Sequence, residues 1–215
     1  MIEAIKLNEA IVFPLEDENG ALCDGAMEQI LSRLHGMDAV LIGPGLGGGD
    51  AIFRITEQIL KQYRGPVVVD ADGINALCGH IDLLRDRTSP TVLTPHPGEM
   101  RRLIAEAYTD PIQAAVNLSA QSGAIVVLKG HETVITDGKQ AYINHTGNPG
   151  MAVGGSGDVL AGMIASLIGQ GIPSLEASAC AVWFHGAAGD LCARELGQYG
   201  MLPSDMLQVL PRLMK

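Results

Sequence analysis

The chain is short of aromatic residues, short of basic ones, and has no CxxC pair and no long uncharged apolar run. Each shortage excludes something. Three Phe, one Trp and four Tyr among 215 residues leave the core to Val, Ile, Leu, Ala and Met. That composition suits a parallel sheet buried under helices. Lys and Arg total 14 against 24 Asp and Glu, for a net charge of −10. A nucleic-acid partner is therefore not expected, because phosphate backbones require basic patches. A nucleotide is not excluded, since backbone N–H groups can hold phosphate. Cys23, Cys78, Cys180 and Cys192 read as reduced thiols of a cytoplasmic protein. The six histidines show no HExxH or other metal spacing, which argues against zinc. No stretch has the length and apolarity of a membrane span. The start, Met1-Ile-Glu-Ala-Ile-Lys6, is too polar for a signal peptide.

What is present is a folded-protein composition, 47% hydrophobic and 18% charged. The length suits one domain, residues 1–215, with a substantial core. Short β-branched runs alternate with helical spacing. Strands are expected at 38–43, 66–70, 91–94 and 124–129, and helices at 50–63, 74–78, 100–106 and from an Asp110 cap to 121. Residues 132–136 and 140–144, joined through Asp137-Gly138, read as a hairpin. Helices then fill 158–170, 174–196 and 203–214. This order predicts an α/β fold of three layers, with a mostly parallel central sheet and helices on both faces. Sites in such sheets lie at the carboxyl ends of strands, where 43–49, 70–72, 95–99 and 129–130 all fall.

The densest motif is Asn148-Pro-Gly-Met-Ala-Val-Gly-Gly-Ser-Gly-Asp158, which leads into an apolar helix starting at or near Asp158. Its glycines give access to positive φ and let an anion approach the backbone. Free N–H groups at a helix start, with the positive end of its dipole, make an anion site. A carboxylate placed there is either a simple cap or a base for a hydroxyl next to a phosphate.

Other clusters admit two readings each. Gly43-Pro-Gly-Leu-Gly-Gly-Gly49 is a tight turn or a surface for a substrate. Asp70-Ala-Asp72-Gly-Ile-Asn75 is a helix cap by Asp72, or a set of groups for a polyol or Mg²⁺-bound water. Thr94-Pro-His-Pro-Gly-Glu99 fixes His96 between prolines, which favours ligand contact, while Glu99 caps the next helix or orients metal-bound water. Lys129 pairs with a surface acid or contacts phosphate. His131, His145 and His185 lack a defining context and read as structural.

Taken in order, Gly-Pro-Gly-Leu-Gly, Val-Asp-Ala-Asp-Gly-Ile-Asn, Thr-Pro-His-Pro-Gly-Glu-Met, Leu-Lys-Gly-His-Glu-Thr-Val-Ile and Asn-Pro-Gly-Met-Ala-Val-Gly-Gly-Ser-Gly-Asp resemble the motifs of the NAD(P)H-hydrate dehydratases, members of the ribokinase-like superfamily. The resemblance runs from about Met1 to Lys215. It implies nucleotide-dependent dehydration of the S epimer of NADHX or NADPHX, with ADP or ATP as co-substrate and Mg²⁺. It implies that Asp158 acts on the substrate hydroxyl. The nucleotide would be held by Lys129, Gly130, His131, Glu132 and Thr133 together with Gly154, Gly155, Ser156 and Gly157. Gly45, Gly47, His96 and Asp158 would line the hydrate pocket, and Glu99 would hold Mg²⁺ through water. A homo-oligomer without nucleic-acid or membrane partners is also implied.

The chain departs from the family in two ways. Members usually begin with a further strand, glycine-rich turn and helix, so the chain is expected to be a fragment, a shortened variant, or dependent on another polypeptide. Ile2, Ile5, Leu7, Ile11, Val12, Phe13 and Leu15 suffice for one short strand there. Val153 and Ser156 stand where Thr is common. The same glycine loop and Asp would also serve a small-molecule kinase of this fold, acting on a thiazole or pyrimidine alcohol or a sugar. A chain that binds nucleotide without turnover is the third reading.

Overall fold

The computed structural model describes residues 9–214. Six strands form one sheet in the order β3-β4-β5-β6-β7-β8: β3 Val40–Ile42, β4 Val67–Val69, β5 Thr91–Leu93, β6 Ile125–Leu128, β7 Val134–Thr136 and β8 Ala141–Ile143. The first four run parallel, β7 pairs antiparallel with β6, and β8 pairs antiparallel with β7. The expected hairpin is β7–β8, with Asp137 accepting from the Lys139 and Gln140 N–H groups at its turn.

Alternation along the strands sends successive side chains to opposite layers. Val67, Val69, Leu93, Val126 and Leu128 join a core with α2 Asp50–Gln62, α3 Ala71–Ala76, α4 Pro97–Ile104 and α5 Pro111–Ser122. Val68, Val92, Val127 and Ile135 face the other way, onto α6 Ser156–Gly169 and α7 Ser174–Leu196. Three layers result, as the sequence predicts. Full burial of each Leu or Ile in these cores contributes about 1.5–3 kcal/mol. A smaller core joins α7 to α8 Pro203–Leu213 through Ala188, Cys192, Met206, Val209 and Leu210. Asp110 caps α5 as expected, accepting from the Ile112 and Gln113 N–H groups.

Several boundaries differ from expectation. α3 starts three residues before the predicted 74, α4 starts at Pro97, and α6 starts at Ser156. Residues 17–34 hold elements the sequence reading left out: a two-stranded hairpin, β1 Asp17–Glu18 with β2 Ala21–Leu22, and α1 Ala26–Leu34. α1 packs Met27, Ile30, Leu31 and Leu34 on the first core. The strand expected within residues 1–15 falls partly on residues 1–8, outside the described residues. Residues 11–15 carry no strand, and Ile11 and Phe13 are exposed.

Candidate active site

The carboxyl ends of β3, β4, β5 and β6 bring the predicted segments to one edge of the sheet. After β3 the chain turns at Gly43, whose φ is +136°. A Cβ there would overlap the Asp70 carbonyl, so only glycine lets the β3 loop lie against the end of β4. Asp72 Oδ2 accepts from the Gly47 N–H at 2.8 Å and clamps that loop. Asp72 is not the helix cap, because Asp70 occupies the N-cap position of α3 and Asp72 lies inside its first turn. Between them Ala71 has φ +46°, a left-handed conformation that costs a non-glycine residue about 1–2 kcal/mol. That turn sends the two carboxylates to different partners.

Asp70 is almost fully buried, at 1% exposure. Its Oδ1 accepts from Lys129 Nζ at 2.7 Å and from Thr94 Oγ1 at 2.7 Å. Lys129 therefore pairs with an acid, though a buried one and not one on the surface. His96 caps α4: its Nδ1 accepts from the Gly98 and Glu99 N–H groups. Glu99 Oε2 accepts from the His96 N–H at 2.8 Å, completing a capping box. Of the two readings of Glu99, capping is the one this geometry displays. Among the described residues no group of three or more His, Cys, Asp or Glu could hold a metal ion.

The glycine motif ends in α6. Gly155, at φ +90°, is its N-cap residue, and no side chain caps the helix. The first turn thus leaves backbone N–H groups and the positive dipole end for an anion. Of the four glycines at 150, 154, 155 and 157, only Gly155 uses positive φ. Gly157 lies within the helix, and a Cβ on it would stand 3.3 Å from Lys129 Nζ and 3.9 Å from Asp70 Oδ2. Asp158, next in the chain, is exposed in the same first turn.

A cavity of about 880 Å³ lies beside this turn. It brings together Lys129, Gly130, His131, Glu132 and Thr133 from the β6–β7 connection, His96, and Ser156 and Gly157. Gly45, Gly47, Gly154, Gly155 and Asp158 do not line it. The β3 loop and Asp72 instead border a separate recess of about 290 Å³ with Phe53 and His80. Gly45 and Gly47 line neither space, whereas His96, predicted to contact the hydrate, lines the same cavity as residues 129–133.

Sequence reasoning missed several contributors. His185 of α7 lines the cavity, with Nε2 3.4 Å from Ser156 Oγ. Burial pushes its pKa down to about 4, so it is neutral. Asp190 accepts from the Gly147 N–H at 2.9 Å and from Asn148 Nδ2 at 3.0 Å, fixing the far wall of the cavity to α7. Gly186 and Gly189 permit that contact: a Cβ on Gly186 would overlap Thr146 and one on Gly189 would overlap Met151. An isolated His, Asp or helical Gly carries no local signal of such a role. Their spacing of three to four residues on one helix face is the only hint.

Known proteins share this chain's sequence and fold. A family model described as NAD(P)H-hydrate dehydratase matches residues 1–212. The bifunctional NAD(P)H-hydrate repair enzyme Nnr of Moorella thermoacetica is 43% identical over 100% of this chain and 42% of its own length. The ADP-dependent (S)-NAD(P)H-hydrate dehydratase of Neisseria meningitidis is 39% identical over 78% of this chain and 59% of its own. The chain therefore spans about two fifths to three fifths of these relatives. Among solved structures, a ribokinase-like superfamily protein from Enterococcus faecalis superposes with TM-score 0.78, at 32% identity, covering 89% of this chain and 67% of that one. The ADP/ATP-dependent NAD(P)H-hydrate dehydratase of Bacillus subtilis, co-crystallised with ATP/Mg²⁺, gives TM-score 0.73 at 29% identity, covering 86% and 68%. On this family match and these identities, the chain belongs to the NAD(P)H-hydrate dehydratase family and has its ribokinase-like fold.

Proposed function

We propose that this chain uses ADP or ATP to dehydrate the S epimer of NADHX or NADPHX and so restore NADH or NADPH. One observation carries the reading: the uncapped first turn of α6 holds Asp158, while Lys129 Nζ stands beside Gly157 at the mouth of the 880 Å³ cavity. Residues 129–133 and 154–157 would hold the nucleotide. Gly45, Gly47 and His96 would receive the hydrate from the side of the β3 loop. The residues read as one ribokinase-like domain, 1–215.

An aliphatic hydroxyl is a poor leaving group at neutral pH. Asp158 takes the proton of the substrate hydroxyl, and the hydroxyl oxygen attacks the terminal phosphoryl group of the nucleotide. The bond from that phosphorus to its bridging oxygen breaks, releasing the shortened nucleotide. The C–O bond then breaks with loss of phosphate and of a proton from the neighbouring carbon, restoring the ring double bond. The protein supplies position, a base and charge stabilisation. Lys129 and the helix N-terminus face the developing negative charge. Mg²⁺ would come with the nucleotide, its bound water oriented by Glu99, and would draw charge from the transferring phosphoryl group.

Four unpaired cysteines support a cytoplasmic location, and no helix among the described residues is long and apolar enough to cross a membrane. Exposed Leu196, Tyr199, Leu202 and Leu207 at the α7–α8 end support a homo-oligomer. The test is turnover of S-NADHX with ADP or ATP, followed by recovery of dihydronicotinamide absorbance and release of phosphate. Phosphorylation of a thiazole alcohol, pyrimidine alcohol or sugar without dehydration would make the protein a kinase. A nucleotide-induced rise in melting temperature with no turnover on any of these would leave it a binding protein.

A further inference from the structure

Asp70 has no part in the chemistry just described, yet it is the most deeply buried charged side chain of the site, at 1% exposure. We infer that it is a positioning residue acting through Lys129. Its carboxylate fixes the ammonium group at the first turn of α6, where a transferred phosphoryl group would lie. The inference rests on the nucleotide reading of that turn.

Three observations carry it. First, both hydrogen bonds to Asp70 Oδ1, from Lys129 and from Thr94, are 2.7 Å long. The Thr94 hydroxyl holds the carboxylate and the carboxylate holds the amine. Second, the amine is where a free lysine would not stay. It lies 3.3 Å from where a Cβ of Gly157 would be, at the positive end of α6, which repels a cation. A fixed anion beneath it offsets that repulsion. A second carboxylate on the same strand end, Asp72, turns away to the Gly47 N–H, so the two acids divide the work. Third, the left-handed Ala71 between them is a strained backbone at the point that aims both. Local strain of this kind clusters at functional sites.

A buried ion pair is weak evidence of a stability role, because apolar replacements of similar size often do as well. Here one N–H of the Lys129 ammonium goes to Asp70, and the other two have no acceptor among the described residues. The side chain is 18% exposed and lines the cavity. A cation held by one hand and open by two is suited to phosphate oxygens. The Asp70 carbonyl also packs under Gly43, so the residue that sets the cation also seats the β3 loop.

The experiment compares the parent chain with Asp70→Asn, Lys129→Met and the double variant. ADP and ATP affinities are read by calorimetry, and kcat and KM with S-NADHX. Asp70→Asn should weaken nucleotide binding on the order of tenfold and lower kcat, with little change in KM for the hydrate. In the Lys129→Met background the same change should add less than about twofold, because the lysine it acts through is gone. Thr94→Val, which leaves both charges in place, should weaken binding in the same direction and serves if Asp70→Asn does not fold. Parent-like nucleotide affinity in a folded Asp70→Asn or Thr94→Val variant overturns the inference. So does an undiminished effect of Asp70→Asn when Lys129 is absent. If the parent itself binds neither nucleotide, the nucleotide reading falls and takes the inference with it.

Discussion

His185 offers a test that needs no substrate. It is 8% exposed, lines the cavity and lies 3.4 Å from the Ser156 hydroxyl. Desolvation lowers its pKa from 6.5 to about 4, and the nearby Lys129 charge pushes the same way, against a hydrogen bond with Ser156. The unfolded chain then binds a proton on this residue that the folded chain refuses. The stability tied to its neutral state is complete above pH 6.5 and is lost as pH falls from there towards 4. At pH 5 an unfolded imidazole of pKa 6.5 is largely protonated, while the folded one is largely neutral. The difference amounts to about 2 kcal/mol of stability relative to pH 7.5. The assay is urea unfolding of the parent and of His185→Gln at pH 7.5 and pH 5. Carboxylate contributions are common to both proteins and cancel in the comparison. The parent should lose about 2 kcal/mol more than the variant between the two values. Equal losses would show that His185 is solvated enough to titrate normally, and would refute the burial that lowers its pKa.

Other outcomes follow from the same geometry. Asp158→Asn should keep the fold and nucleotide affinity while lowering dehydration by about 10²–10⁴-fold, measured by kcat with S-NADHX; near-normal turnover would remove Asp158 as the base. Gly157→Val should weaken ADP and ATP binding in calorimetry by crowding Lys129 Nζ, and unchanged affinity in a folded protein would contradict the anion turn. Gly186→Val should push residues 144–151 off α7 by overlap with Thr146, costing about 1–3 kcal/mol in chemical denaturation. Light scattering should find more than one copy per particle, and a monodisperse monomer would remove the self-association reading.

The sheet was legible where its residues are buried on both faces. Val67-Val-Val69 and Ile125-Val-Val-Leu128 can hardly be anything but interior parallel strands, and both appear. α7 was legible almost to the residue because its long apolar and small-residue run ends at Gly197. α1 was readable and went unread: Met27, Ile30, Leu31 and Leu34 follow helical spacing, but its short, mixed polar run gave no cap to mark its start. The start of α6 was placed two residues late because Asp158 looks like a cap, whereas Gly155 takes that position with its left-handed turn. Lys129 was singled out by its place after a strand. Asp70 was singled out among the acids after β4, but its pairing with Lys129 was not, because 59 residues separate them and only the parallel register of β4, β5 and β6 brings them side by side. Periodicity reports faces and ends of elements; it does not report which ends meet.

The reversal from parallel to antiparallel after β6 has a consequence for how the protein could change. A parallel step would have required a crossover running back to the opposite end of the sheet, usually through a helix on one face. Instead the five-residue link from Lys129 to Thr133 stays at this end and lines the cavity together with residues 144–153. Neither belongs to the two large cores that flank the sheet. Residues exchanged in these segments meet the ligand without touching either of those cores, so ligand preference can change there while the sheet and its flanking helices stay as they are.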